Sequence, residues 1–370
     1  MDLDALRSNL AWIRHRVGPQ IKILTVVKAD AYGHGLKQIA ALLMQSGTDI
    51  FGVANLAEAH TIRSVGKGWP ILMLGACLPH EIEHAVRDEV RPTISSLAEA
   101  KAFSEAAKRL RRDVPVHVKV DTGMGRLGVE TKQAFDLLQS IQTLPGLTLE
   151  GLYTHYASAE DDAAFSSEQT RRFREVLSAC ASAGIQIPLI HASNSAALLH
   201  EADEGCNLVR PGLLVYGELP LGKRTDNTVF QKYFRPALSL KCRVSLVKEI
   251  SKGDSLSYGR TFIAPQMMRV ATLTAGYGDG YLRSGSNKAQ VFVKGRRCRV
   301  LGRITMDQTM VDVSEINDVS PGDEAVLIGT QGEDTITASE LASWCGTIPW
   351  EVLTAITHRV PRIYRGSQAA

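Results

Sequence analysis

The chain has no apolar run approaching the roughly 18 residues that a membrane-crossing helix needs. Its first residues lack the basic-then-apolar order of an export signal. It carries no strong charge of either sign, only +3 over 370 residues. The densest basic run, RLRR at 109–112, closes an apparent helix, where cations complement the dipole. Neither a nucleic-acid partner nor a membrane partner is expected from so short a run. The six cysteines (Cys77, Cys180, Cys206, Cys242, Cys298, Cys345) are far apart and form no C-x-x-C pair. That spacing argues against a zinc site and against a disulfide scaffold. No metal is expected, and reduced thiols in a cytoplasmic setting are the simpler reading.

What is present is an ordinary globular composition, 44% hydrophobic and 22% charged, in a chain long enough for two domains. Eight apolar runs alternate with helix-periodic segments over the first 215 or so residues. They are IKILTVV (21–27), FGVA (51–54), ILMLG (71–75), RPTI (91–94), VPVHVKV (114–120), LTLEGLYTH (147–155), IPLIHASN (187–194) and NLVRPG (207–212). Continuous apolar strands between amphipathic helices imply parallel β/α units covered on both faces. Eight units are what a closed (β/α)8 TIM-type barrel requires. The rival is a doubly wound open sheet, but no G-x-G-x-x-G follows the first strand. From residue 231 onward the pattern turns β-rich and Gly-broken, as in RPALSLKCRVSLVKEI and AQVFVKGRRCRVLGRITMDQTMVDVS. The expected α/β architecture is therefore a barrel over 1–230 followed by a mostly-β C-terminal domain over 231–370.

Barrels of this kind build their sites at the C-terminal ends of the strands. Lys28 follows the first run, and Lys119 and Asp121 end the fifth, with Arg126 in the next loop. His155 ends the sixth run, Asn194 and Ser195 the seventh, and Arg210-Pro211-Gly212 the eighth. Each alone has a plain explanation: a solvated lysine, a helix N-cap at Ser195, an ordinary turn at Gly212. Their shared rim is harder to explain away. The small, Gly-rich ADAYGHG after Lys28 lets a bulky ligand approach the backbone. A partly desolvated lysine there is a usable amine nucleophile, suited to Schiff-base chemistry. A hydroxyl beside backbone N–H groups at Ser195 and Gly212 suits a phosphate.

VVKADAYGHG, KVDTGMGRLG, THYASA, HASNSAA, VRPGLLVYG, LSYGRTF, TAGYGDGY and GRITMDQ together resemble the alanine racemase family, in family order over nearly the whole chain. The resemblance implies pyridoxal 5′-phosphate (PLP) carried by Lys28 and a reaction interconverting L- and D-alanine, with D-alanine feeding peptidoglycan. It implies Lys28 and the partner subunit's Tyr258 as opposite bases, and hence a homodimer with shared sites. Tyr32, Ser195, Gly212 and Leu213 would hold the phosphate, Arg210 would face the pyridine nitrogen, and His155 and Asn194 would line the cofactor site. Arg126, Met306 and Tyr277 would position the substrate, and Lys119 matches a position often carbamylated in the family. The chemistry agrees. Racemisation takes a proton from one face and returns it to the other, which two bases accomplish. A tyrosine with pKa about 10 needs hydrogen-bonding or cationic support to act as one, and His155 with Arg210 are placed to give it.

Three departures stand out. The chain opens at MDLDALRSNL, where relatives carry a short strand ahead of the helix, as a trimmed or late-starting homologue would. His358, in ITHRVPRIY, stands where many relatives have a phosphate-contacting tyrosine, and Thr305 stands where some have cysteine. The rival functions are a racemase of serine or of broader specificity, a non-catalytic PLP barrel, and a decarboxylase of basic amino acids. The β-rich second half and Tyr258 oppose the second; the absence of a cysteine-containing acidic loop opposes the third.

Overall fold

The computed structural model describes residues 1–200, 205–220, 222–224 and 227–366. A helix over Leu3–Val17, capped by the Asp2 carboxylate on the Ala5 N–H, precedes the first strand. Eight parallel strands follow: β1 (Lys22–Val26), β2 (Ile50–Val53), β3 (Ile71–Met73), β4 (Thr93–Ile94), β5 (Val114–Asp121), β6 (Leu147–Tyr153), β7 (Leu189–His191) and β8 (Leu208–Val209). Each lies inside one of the eight apolar runs or extends it by a residue. Side-chain oxygens cap the intervening helices: Asn55 for Leu56–Val65, Ser96 for Leu97–Leu110 and Asp162 for Ala163–Ser182.

The strands pair in parallel as β3-β2-β1-β8 and β4-β5-β6-β7. Backbone hydrogen bonds join the two halves at both seams. Asn207 N donates to Ile190 O (3.0 Å) and Arg210 N to Ser193 O (2.9 Å), tying β7 to β8. Met73 N donates to Arg91 O (2.9 Å), tying β3 to the approach to β4. The barrel is therefore closed. RLRR falls at the end of the Leu97–Leu110 helix, with Arg109 and Arg112 paired to the half-buried Glu83 and the exposed Glu89.

After residue 237 the chain builds an antiparallel sheet in the order β12-β11-β14-β9-β10-β13. These are β9 (Leu240–Ile250), β10 (Met268–Leu273), β11 (Gln290–Val293), β12 (Arg296–Arg299), β13 (Thr309–Asp312) and β14 (Glu324–Gln331). An antiparallel bridge from Val300 to Val311 brings the two edge strands together, so the sheet curls on itself. One continuous apolar core runs from Leu6 and Ile23 in the barrel to Leu273 and Leu353 beyond it. The helix Pro349–Ala355 packs directly on the turn after β1: a Cβ at Gly33 would lie 2.2 Å from Leu353 O.

Candidate active site

The segment after β1 turns left-handed. Ala29, Asp30, Ala31 and Tyr32 have φ between 53° and 55°, a conformation costing roughly 1–2 kcal/mol per non-glycine residue. Specific contacts hold it. Glu58 accepts from Ala29 N (2.7 Å) and Ala54 N (2.8 Å), and Asp30 accepts from Leu36 N (2.7 Å). Such strain persists only where the surroundings over-determine it, typically at functional sites. Here it leaves Lys28 half-buried at the barrel mouth and turns Tyr32 inward. Burial, and then the charge of Arg126, lowers the Lys28 pKa from its ordinary value, which favours a reactive amine.

Tyr32 stacks on Tyr216, centroids 4.7 Å apart at 27°, and Tyr216 Oη donates to Val26 O (3.0 Å). Burial raises the Tyr32 pKa, so its hydroxyl stays a donor. Ser195 Oγ accepts from Gly212 N (3.0 Å) and Leu214 N (3.4 Å), which leaves its own O–H free to donate. A Cβ at Gly212 would lie 2.4 Å from Tyr32 Oη. Only glycine at 212 lets the two hydroxyls and the Gly212–Leu213 backbone come this close, and such a donor set suits a phosphate. Asn194, not Ser195, caps the following Ser195–His200 helix, with Oδ1 accepting from Ala197 N (3.0 Å). That leaves the serine hydroxyl to the cradle.

Arg210 is buried and held on every side. Its Nη2 donates to Thr154 O (2.7 Å) and Ala192 O (2.8 Å) and reaches His155 Nδ1 (3.3 Å). Its Nη1 lies 2.7 Å from His191 Nδ1. Guanidinium only donates, so His155 Nδ1 accepts and the proton of the neutral ring sits on Nε2. Burial, with Arg210 and Lys119 close by, drives the His155 pKa well down and keeps that ring neutral. Lys119 is buried, and burial beside Arg126 and Arg210 lowers its pKa to about 8. Asp121 accepts from Gly123 N (2.9 Å) and Gly125 N (3.0 Å), shaping the loop that presents the exposed Arg126.

Lys28, Lys119, Arg126 and Arg210 therefore share one rim, while the acids nearby (Asp30, Glu58, Asp121) use their oxygens on backbone N–H groups. The rim is cationic. Tyr258, Tyr277 and Met306 are not gathered there. They lie on the second, β-rich half, 71%, 40% and 52% exposed. They do sit near one another: Tyr277 N donates to Thr305 O (3.0 Å), and Ser257 Oγ to Arg303 O (2.6 Å). His358 is exposed and has no side-chain partner among the described residues. Sequence reading missed Glu58, Thr154, Tyr216 and His191. A polar residue inside an otherwise apolar strand was the available signal for the last.

A closed barrel with a reactive lysine and a phosphate cradle on its rim, continued by an antiparallel β-half, defines a cofactor-dependent enzyme of the barrel-plus-β type. Residues 1–220 match the family described as "Alanine racemase, N-terminal domain", and residues 237–364 match "Alanine racemase, C-terminal domain". The alanine racemase of Carboxydothermus hydrogenoformans is 41% identical over 365 residues, covering 98% of each chain. That of Halothermothrix orenii is 39% identical, covering 99% of this chain and 96% of its own. Among solved structures, alanine racemase of Clostridium difficile 630 superposes with a TM-score of 0.92 at 36% identity, covering 99% of this chain and 94% of its own. The Bacillus anthracis enzyme with bound L-Ala-P gives 0.88 at 35%, with 99% and 94% covered. The chain belongs to the alanine racemase family, whose members are PLP-dependent isomerases.

Proposed function

We propose that this chain interconverts L- and D-alanine, and that its barrel (1–230) binds the cofactor while its β-rich region (231–370) supplies the second base to a partner subunit. The observation that carries the reading is the meeting of Lys28 with the phosphate cradle on one cationic rim. PLP, when bound, supplies an electron sink that acidifies the substrate's α-hydrogen. Lys28 would hold the cofactor through its amine and exchange a proton on one face. Tyr32, Ser195, Gly212 and Leu213 would bind the phosphate, with Asn194 fixing the helix behind them. Arg210, permanently protonated, would face the ring nitrogen and keep a proton off it, which weakens the sink and limits side reactions.

Tyr258 would serve the opposite face. Its 71% exposure on the β-rich half, with Ile263 (57%) and Met306 (52%) exposed nearby, supports completion of the site by a second copy in a symmetric dimer. The Nε2–H of His155, free because Arg210 occupies Nδ1, would stabilise the tyrosinate. Arg126, with Tyr277 and Met306, would take the substrate carboxylate. Lys119, once carbamylated, would orient Arg126. Among the described residues no helix is long and apolar enough to cross a membrane; a cytoplasmic location supplying D-alanine for peptidoglycan fits the family. The test is a racemisation assay on L-alanine, D-alanine and L-serine, with and without added PLP. Cofactor-dependent turnover of both alanine enantiomers, well above that of serine, is the expected result. Preferential turnover of serine, or none without a second protein, would overturn the assignment.

A further inference from the structure

Barrels of this type fill their interior with branched apolar side chains, yet here a polar chain runs through it. His117 in β5 and His191 in β7 are fully buried. Arg210 Nη1 meets His191 Nδ1 at 2.7 Å, His191 Nε2 meets His117 Nδ1 at 3.0 Å, and His117 Nε2 meets Glu150 Oε2 at 3.0 Å. Arg91 Nε closes the chain on the same carboxylate oxygen at 2.5 Å. Space is reserved for it: a Cβ at Gly151 would lie 2.2 Å from His117 Nδ1. The His191 ring is clamped face to face on Tyr153, 4.7 Å apart at 5°.

The proton positions follow from the two ends. Arginine can only donate, so His191 Nδ1 accepts and its proton sits on Nε2. That proton points at His117 Nδ1, whose own proton must then sit on Nε2, facing Glu150. An ionised carboxylate can only accept. Burial pulls the Glu150 pKa up, but the hydrogen bonds from His117 and Arg91 outweigh it and hold it at about 2. Burial lowers both imidazoles. The chain thus has one direction, fixed at both ends: Arg210 can only donate and the Glu150 carboxylate can only accept. A methionine in place of Glu150 offers no such acceptor. The buried Nε2–H of His117 would then be left unpaired, which releases both rings from that direction and Arg210 from its fixed acceptor.

From this geometry we infer that Glu150 and His117 are positioning residues for the racemisation: by fixing the tautomer of His191 they keep an acceptor facing Arg210 and hold the guanidinium where the cofactor's ring nitrogen docks. This rests on the function proposed above. The test uses the full-length holoenzyme with 15N-labelled histidine, whose long-range 1H–15N correlations report each ring's tautomer. Expected are Nε2–H forms at His117 and His191 in the parent, and loss of that pattern in Glu150→Met. With it, kcat should fall roughly 10- to 100-fold, the range for losing a partner that orients a functional histidine, while KM changes less than about twofold. Glu150→Asp, still acceptor-only, should restore the tautomers and most of kcat. An Nδ1–H on His191 in the parent would overturn the inference. So would a Glu150→Met variant that loses thermal stability alone, with tautomers and kcat unchanged. If Glu150→Met does not fold, His117→Phe, which removes the acceptor for the His191 Nε2–H, is read the same way, and an unchanged kcat there overturns the inference. Failure of the functional reading looks different: the parent would show the expected tautomers and not racemise alanine.

Discussion

Replacing Gly212 by alanine tests the phosphate cradle with little else disturbed. Gly212 has φ −118° and ψ −84°, which is not the left-handed conformation that needs glycine, and the chief consequence is the contact made by the added methyl. That methyl would sit 2.4 Å from Tyr32 Oη, 3.1 Å from Cζ and 3.6 Å from Val26 Cβ. Tyr32 cannot yield easily, because it is buried against Tyr216, itself anchored on Val26 O. Overpacking of this kind costs about 1–3 kcal/mol. Whichever group moves, the cradle loses a donor to the phosphate, a charge-assisted bond of about 1.5–3 kcal/mol. That corresponds to roughly a 10- to 100-fold weaker Kd. The assay is reconstitution of cofactor-stripped protein with PLP, followed by absorbance, beside thermal unfolding of the stripped protein. Tyr32→Phe removes the clashing oxygen, so the double variant should regain stability but not affinity, a non-additive pair. Wild-type PLP affinity in both Gly212→Ala and Tyr32→Phe would show that no phosphate binds there.

Tyr258→Phe should keep the visible absorbance of lysine-bound cofactor yet slow racemisation roughly 100-fold in both directions, the scale of one general base, while exchange of the α-hydrogen with solvent falls chiefly from the enantiomer whose proton the tyrosine removes. Symmetrical wild-type rates from the two enantiomers would remove the tyrosine from the mechanism. Lys119, with its pKa lowered to about 8 by burial beside Arg126 and Arg210, holds much of its amine neutral near that pH and can add CO2 with loss of a proton. 13C-bicarbonate should give a carbamate carbon signal that Lys119→Ala abolishes, together with roughly tenfold higher KM for alanine on losing a hydrogen-bonded orienting group; no signal means plain lysine. Glu218 is buried, and burial raises its pKa to about 7 despite the Ser339 hydroxyl and two backbone N–H groups. The folded state thus binds this proton more tightly than the unfolded chain, and stability is lost as pH rises from about 4.5 to 7. Glu218→Gln should exceed the parent in stability by up to about 3 kcal/mol at pH 8, with the gain vanishing below pH 4.5; a pH-independent difference in denaturant unfolding would refute this.

The strands were legible because burial on both faces writes them as unbroken apolar runs, and the rim residues because each stands one or two positions past such a run. The left-handed course of Ala29 to Tyr32 was not. No glycine marks it, and tertiary contacts from Glu58 and Asp30 impose it against local preference. That Asn194 caps the Ser195–His200 helix is not legible either, since adjacent Asn and Ser are equally good caps and only the tertiary geometry separates them. His117, Glu150 and His191 each interrupt an apolar strand, yet their connection is a matter of register between β5, β6 and β7, which one-dimensional spacing does not encode.

The placement of the acids unites these observations. A rim carrying Lys28, Lys119, Arg126 and Arg210 would ordinarily acquire carboxylate partners, because unneutralised buried cations are costly. Asp30, Glu58 and Asp121 stand close enough to serve, but each is committed to backbone N–H groups that shape a loop. Glu150 is linked to Arg210 through two neutral imidazoles, so its charge is kept well away from the rim. Its carboxylate orients the arginine without occupying the site. Loop geometry and guanidinium orientation are thus obtained from acids that leave the rim's positive charge open to the anions proposed to bind there, a phosphate and a carboxylate.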